Sequence, residues 1–283
     1  MKIKNLDFTD ELAMMQAIND TVQYIQSKTN KKPEIAIILG SGLGDYAYQL
    51  KNADIIPYED IPNFPKSTVV GHSGNLFIGE LNGKCVAIMQ GRNHYYEGYD
   101  TQTITLPVRV FKVLGVHSII LTNACGAVNK HFSPGDIMLI DDHIANFCPN
   151  PLRGAHLHEF GPRFTDMSRP YNKEYIELAK KCAVDIGINV HTGIYGYWHG
   201  PTYETAAEVR AYAALGADVV GMSTVAENII AVNCGMKVLG ISCITNMTCI
   251  HTTGITSHDE VVEVISQISN KLTQLLSDVV KSI

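Results

Sequence analysis

Six short runs of aliphatic and β-branched residues recur along this chain with segments of helical period between them, and that alternation limits the architectures open to it. The runs are 34–39 (EIAIIL), 85–89 (CVAIM), 118–122 (SIILT), 136–140 (DIMLI), 217–222 (ADVVGM) and 237–244 (KVLGISCI), bounded by Gly, Asn or Ser. Runs so short and so apolar suit strands covered on both faces. Helical periodicity occupies 9–28, 101–114, 171–187, 203–215, 225–234 and 257–281. Strands alternating with helices predict an α/β fold, a central mixed and largely parallel sheet flanked by helices. The last helix is the best defined. Val261, Val264, Ile265, Ile268, Leu272, Leu275 and Leu276 form its apolar stripe, and Ser257 with Glu260 spells a capping box.

A chain of 283 residues has room for one or two domains. No Pro/Gly/Ser-rich linker, charge run, repeat or low-complexity segment divides it, so residues 1–283 are read as one domain. A net charge of −6 argues against a protein that holds nucleic acid through its phosphates, which takes clustered Lys and Arg. The N-terminus has no signal-peptide core, and no run reaches the roughly 18 apolar residues of a membrane span. A cytoplasmic protein is expected. The seven cysteines include no CxxC pair, which fits neither a disulfide framework nor a zinc site and suits a reducing compartment.

Polar chemistry gathers where the apolar runs end. GRNHYYEGYD (91–100) follows CVAIMQ and sets Arg92, His94 and Tyr96 where a strand opens into a loop, the usual place for a site in an α/β sheet. ILGSGLG (38–44) is neither a phosphate loop nor a dinucleotide fingerprint; it is a tight turn, or a cradle in which backbone amides and Ser41 hold an anion. GHSG places His72 between glycines, where a solvated histidine is the ordinary reading. TNACGAVN (122–129) ends a strand in small residues that admit a ligand close to the backbone, with Cys125 a core thiol lacking a neighbouring base. In HGPTYETAAEVR (199–210), Thr205 and Glu208 read as a capping box, which leaves Glu204 outside the helix. In VGMSTVAENIIA (220–231), Ser223 and Thr224 can cap the next helix, and that alone would explain them; ITNMT (244–248) ends a strand in Thr245 and Asn246. A parallel sheet would bring these strand ends to one edge.

Taken in order, GSGLG, GHSG, GRNHYYEGY, TNACGAVN, GDIMLIDDHI, NPLRG, GPTYETAAE, GMSTV and ITN make the chain resemble the trimeric class of purine nucleoside phosphorylases, from about residue 34 to the final helix. The resemblance implies reversible phosphorolysis of 6-oxopurine nucleosides in purine salvage, with inorganic phosphate as co-substrate and no metal or organic cofactor. It implies a homotrimer, bound to neither nucleic acid nor membrane. By the same resemblance Ser41, His72, Arg92, His94, the backbone at Ala124 and Ser223 form the phosphate site. Tyr96, Met222 and His258 hold the ribose, and Tyr203, Glu204, Val220 and Asn246 hold the base. His94, Glu204 and Asn246 carry the catalysis, Glu97 orients His94, and Phe147 is the candidate for an aromatic reaching a neighbouring subunit. A methylthioadenosine phosphorylase would carry an acid where this chain has Asn246. A hydrolytic nucleosidase would leave Arg92 and the serines without a purpose, and a silent nucleoside-binding protein would leave His94, Glu204 and Asn246 so. Cys125 and Ala127 depart from the family pattern, and Trp198 and His199 receive no role from it.

Overall fold

A computed structural model of the chain describes residues 10–67, 73–252 and 258–283. At its centre lies β1 (Ile35–Ile38), buried at every residue and parallel to both β4 (Lys84–Gln90) and β5 (Ser118–Ala127). A strand flanked and covered on all sides must be apolar throughout, which is why IAII reads as an unbroken run. Beyond β4 the sheet turns antiparallel. β3 (Asn75–Leu81) pairs with β4 and β2 (Lys51–Pro57) with β3. Asn82 and Gly83, with φ of 51° and 83°, make the two-residue turn from β3 into β4, a left-handed pair that Asn-Gly adopts at little cost. Neither β2 nor β3 falls within the strands predicted from the sequence.

On the other side of β1 the sheet closes on itself. β9 (Lys237–Met247) runs parallel to β5, β6 (Ile137–Ile144) antiparallel to β9, β7 (Val190–Tyr197) parallel to β6, and β8 (Val219–Gly221) parallel to β7. The loop of strands ends where β8 meets β5 again, antiparallel, at Gly126 and Ala127. Five of the nine pairings among the described residues are parallel, so the sheet is mixed with a parallel majority. The expectation that all the polar strand ends share one edge needs correction. The reversal between β9 and β6 passes to β7 and β8, so β8 points back toward the middle of β5.

Six α-helices are described: α1 (Glu11–Lys28), α2 (Thr101–Leu114), α3 (Lys173–Asp185), α4 (Ala206–Leu215), α5 (Val225–Asn233) and α6 (His258–Ser282). α2 has the limits expected of it. Asp100 accepts a hydrogen bond from the Thr103 amide at its start, and Gly115, at φ 105°, ends it in the left-handed conformation that glycine alone adopts freely. α6 buries Val261, Ile265, Ile268, Leu272, Leu275 and Leu276 along one face. Truncating any one of its buried leucines to Ala costs about 2–5 kcal/mol. Its proposed cap Ser257 lies outside the described residues. No described helix is long and apolar enough to cross a membrane.

Candidate active site

The ends of β1, β4, β5 and β9 open onto a cavity with about 920 Å³ of empty space, counted out to its open mouth. Gly40 and Ser41 enter it from β1, Arg92, His94 and Tyr96 from the segment after β4, and Asn123 to Gly126 from β5 itself. β5 continues through Ala127, five residues past the run that marked it in the sequence, because it pairs on one side with β9 and on the other first with β1 and then with β8. The segment TNACGA is therefore strand and cavity wall at once.

One end of the cavity is built around Arg92. Gly91, at φ 101°, turns the chain out of β4 and sends the arginine inward, where 2% of its side chain is exposed. Its Nη1 donates to the Thr122 carbonyl oxygen at 2.6 Å and to Ser223 Oγ at 3.1 Å, and lies 3.4 Å from Thr224 Oγ1. Its Nε forms an ion pair with Glu227 Oε1 at 3.1 Å. His94 stands beside it. Glu97 Oε1 accepts from the His94 backbone amide at 2.7 Å and lies 3.1 Å from His94 Nδ1, while the Tyr96 ring stacks on the imidazole at 4.7 Å. Burial lowers the His94 pKa, against the opposing pull of Glu97, so the ring is neutral near pH 7. With its Nδ1 proton on Glu97, the neutral ring keeps Nε2 as its acceptor nitrogen.

Ser223 and Thr224 do not cap α5 as the sequence suggested. Thr224 makes no side-chain cap bond; it sits at φ 73° and ψ −45°, and the Val225 amide reaches back over it to the Ser223 carbonyl at 2.7 Å. This is the rarer, strained γ-turn. Thr224 Oγ1 instead accepts from Asn123 Nδ2 at 2.9 Å, and the Ser223 hydroxyl meets Arg92. The turn aims two hydroxyls at the arginine, and Thr224, where the strain lies, is wholly buried.

The opposite end carries Tyr203, Glu204, Val220 and Asn246. Asn246 and Val220 both lie opposite Gly126 in the register of β5, whereas Arg92 bonds Thr122. Four residues of strand, at ~3.3 Å each, separate the two ends by about 13 Å. A side chain at Gly126 would bring its Cβ to 3.1 Å from Asn246 Nδ2, so glycine there makes room for the amide. Thr245 Oγ1 lies 3.1 Å from Asn246 Oδ1 and 3.2 Å from the Cys125 carbonyl oxygen, and Asn246 Nδ2 donates to the Met247 carbonyl at 3.3 Å. Glu204 is held in the loop before α4 because Thr205 and Glu208 close the capping box as expected: the Thr205 amide donates to Glu208 Oε2 at 2.7 Å and the Glu208 amide to Thr205 Oγ1 at 3.3 Å. Burial, and then the charge of Glu208, raises the Glu204 carboxyl above its ordinary pKa.

Every described residue singled out for the site therefore lines this one cavity: Ser41, Arg92, His94, Tyr96 and Ala124 from the first half of the chain, Tyr203, Glu204, Val220, Met222, Ser223 and Asn246 from the second. His72 and the side chain of His258 lie outside the described residues. Cys125 is a buried thiol donating to the Cys243 carbonyl, its pKa pushed well above the usual value by burial, in keeping with a core role. Trp198 gains a role the sequence did not give it. Its indole Nε1 donates to the Thr202 carbonyl at 2.7 Å, bracing the loop that carries Tyr203 and Glu204, and its ring meets Phe147 edge to face at 5.8 Å. Phe147, half exposed, rests on its own chain's Trp198 and Tyr212. Glu227 and Thr224 do not stand out as site residues in the sequence, because Thr-x-x-Glu at a helix start reads as a cap and nothing more.

Residues 34–281 match the model of the phosphorylase superfamily. Purine nucleoside phosphorylase 1 of Geobacillus stearothermophilus is 48% identical over 94% of this chain and 97% of its own length. A crystal structure of isoform 2 of the Schistosoma mansoni purine nucleoside phosphorylase, in complex with cytosine and ribose-1-phosphate, superposes with a TM-score of 0.90 at 40% identity, covering 95% of this chain and 96% of that one. A Schistosoma mansoni purine nucleoside phosphorylase in complex with adenosine gives the same TM-score at 38% identity, covering 95% and 98%.

Proposed function

We propose, for a chain that belongs to the phosphorylase superfamily and within it to the purine nucleoside phosphorylase family of enzymes, that this cavity carries out reversible phosphorolysis of 6-oxopurine nucleosides and their deoxy forms. The observation that carries the reading is the pairing of a braced, buried Arg92 at one end with Glu204 and Asn246 at the other.

In this reading phosphate lies among Ser41, Arg92, His94, Ser223 and the Ala124 amide, with His72 joining them. Arg92 offers a fixed positive charge to its oxygens, and neutral His94 takes the hydrogen of a protonated oxygen on Nε2. Tyr96, Met222 and His258 hold the ribose, while Tyr203 and Val220 enclose the purine. A phosphate oxygen forms a bond to C1′ as the bond from C1′ to N9 breaks, and the bonding pair leaves with the purine. Positive charge grows on the sugar beside the phosphate, and negative charge on the base. Asn246 donates to N7 or the 6-oxo oxygen, and Glu204 accepts the N1 proton. A donor aimed at developing charge contributes ~10²–10³ in rate. Phosphate is a co-substrate, and the scheme uses no metal or organic cofactor.

The Schistosoma mansoni relative crystallised with adenosine makes the base preference worth testing directly. Adenine has no N1 proton for Glu204, and a buried polar group left unpaired costs about 1–3 kcal/mol. Inosine, guanosine and adenosine should be assayed with and without inorganic phosphate, in buffer containing a chelator. Turnover that requires phosphate, yields ribose 1-phosphate and favours inosine over adenosine in kcat/KM by ~10-fold or more supports the reading. Turnover without phosphate, loss of activity to the chelator, or equal use of adenosine each contradicts the corresponding part.

A cytoplasmic homotrimer belongs to the same proposal. Light scattering should give three times the 31.1 kDa of one chain. An active monomer would contradict the trimer.

A further inference from the structure

The chain spells Thr-x-x-Glu at the start of two helices, Thr205 to Glu208 before α4 and Thr224 to Glu227 before α5. The first closes as a capping box, with each side chain on the other residue's backbone amide. The second has the same spelling and the opposite outcome. Thr224 makes no cap bond and Glu227, at the third helical position, pairs with Arg92 Nε at 3.1 Å. Two side chains with a ready local use have both been turned toward one arginine.

We propose that Glu227 is a positioning residue for phosphate binding, holding the Arg92 guanidinium in the place and orientation that present its charge to the anion. The inference rests on the phosphorolytic reading above. The Glu227 carboxylate 3.1 Å from Nε and the bond from Nη1 to the Thr122 carbonyl hold the guanidinium from two sides. Both side chains are nearly wholly buried, 2% and 4% exposed, so water cannot stand in for the carboxylate. The pair joins β4, β5 and the start of α5 at the level where Ser223 enters the cavity. Glu227 does not line the cavity itself. Its influence on a ligand passes through Arg92.

The experiment compares native protein with Glu227→Gln and Glu227→Ala, reading the KM for inorganic phosphate and the KM for inosine separately. The expected result is a phosphate KM raised ~10-fold or more with inosine KM within ~2-fold of native, and a smaller rise for Gln, which keeps the shape, than for Ala. A purely structural Glu227 would lower the melting temperature and leave the ratio of the two KM values unchanged; that result overturns the proposal. Should the Ala variant not fold, the Gln variant alone gives the same ratio and decides the question in the same way. Stabilisation of each protein against heat by inorganic phosphate, without nucleoside, provides a second reading. It should weaken in both variants, and an unaltered shift in the Gln variant overturns the proposal equally. The native control keeps the two ideas apart. If native protein cleaves inosine without phosphate, the phosphorolytic reading fails, whatever the variants do.

Discussion

Glu204 shows how one residue sets stability against function. Its carboxyl is buried enough to raise its pKa above the ordinary 4.5, and Glu208 adds to the effect. A carboxyl with a raised folded-state pKa favours the folded state only where it is protonated; above that pKa its buried charge weighs against folding. At pH 7 the empty protein therefore carries the cost of a charge waiting for a partner. Glu204→Gln is expected to raise the melting temperature of the unliganded protein at pH 7 and to lose that advantage as the pH falls toward 4.5, while kcat/KM for inosine drops by ~10-fold, as a neutral amide oxygen replaces the charged acceptor of the N1 hydrogen. Melting curves at the two pH values check the first half, and a Gln variant less stable than native at pH 7 would refute it. At this scale the sequence was informative. Arg92, His94, Tyr96 and Glu204 are polar residues in places where an apolar run or a helix cap leaves them no local task. Glu227 was hidden for the converse reason, since its spelling supplied a local task that the fold does not use.

Thr224 belongs to the scale of the element, because its backbone is the hinge between β8 and α5. A non-glycine at φ 73° is strained by about 1–3 kcal/mol, and its hydroxyl is the acceptor for Asn123. Thr224→Val keeps the β-branched shape and the strain but leaves Asn123 Nδ2 facing a methyl group, a loss of about 1–3 kcal/mol. Thr224→Gly loses the same acceptor yet relieves the strain, so it should be the milder of the two in urea unfolding. If Val proves as stable as native, the hydroxyl is not what holds the turn. The elements themselves were legible in proportion to how apolar or how well capped they are. β1, β4 and β9 announce themselves as unbroken runs, and α2 is bracketed by Asp100 and Gly115. β2 (KNADIIP) is half exposed and β7 (VHTGIYGY) is interrupted by polar residues and glycines, so neither stands out from a loop. The Asn82–Gly83 pair, flanked by NLFIGEL and KCVAIM, is a local mark of the β3–β4 hairpin, but a short one beside the longer apolar runs.

At the scale of the whole molecule, the direction of a strand is set by its partner rather than by its own residues. Nothing in ADVVGM says that β8 runs against β5; that follows from the antiparallel pairing of β6 with β9, residues far apart in the chain. The site depends on it, because only a reversed β8 delivers Met222 and Ser223 to the middle of β5. The same closed set of strands buries His143 near the end of β6, with Nδ1 3.2 Å from the Tyr171 hydroxyl. Burial lowers its pKa from 6.5 to about 4, although the charge of Asp142 works the other way. The unfolded chain therefore takes up a proton at this histidine well before the folded one, and stability falls as the pH drops from 6.5 toward 4. The buried, neutral His94 adds to the same trend. At ~1.4 kcal/mol per unit of separation, reduced because His143 keeps some exposure, the loss amounts to about 1–3 kcal/mol. His143→Asn should remove that part of the acid sensitivity. Urea unfolding of both proteins, at one protein concentration and at several pH values between 7 and 4, compares the slopes and not the absolute stabilities, so any general cost of the substitution cancels. The native curve should be the steeper below pH 6.5, and parallel curves would mean that His143 is not the group through which acid loosens the fold.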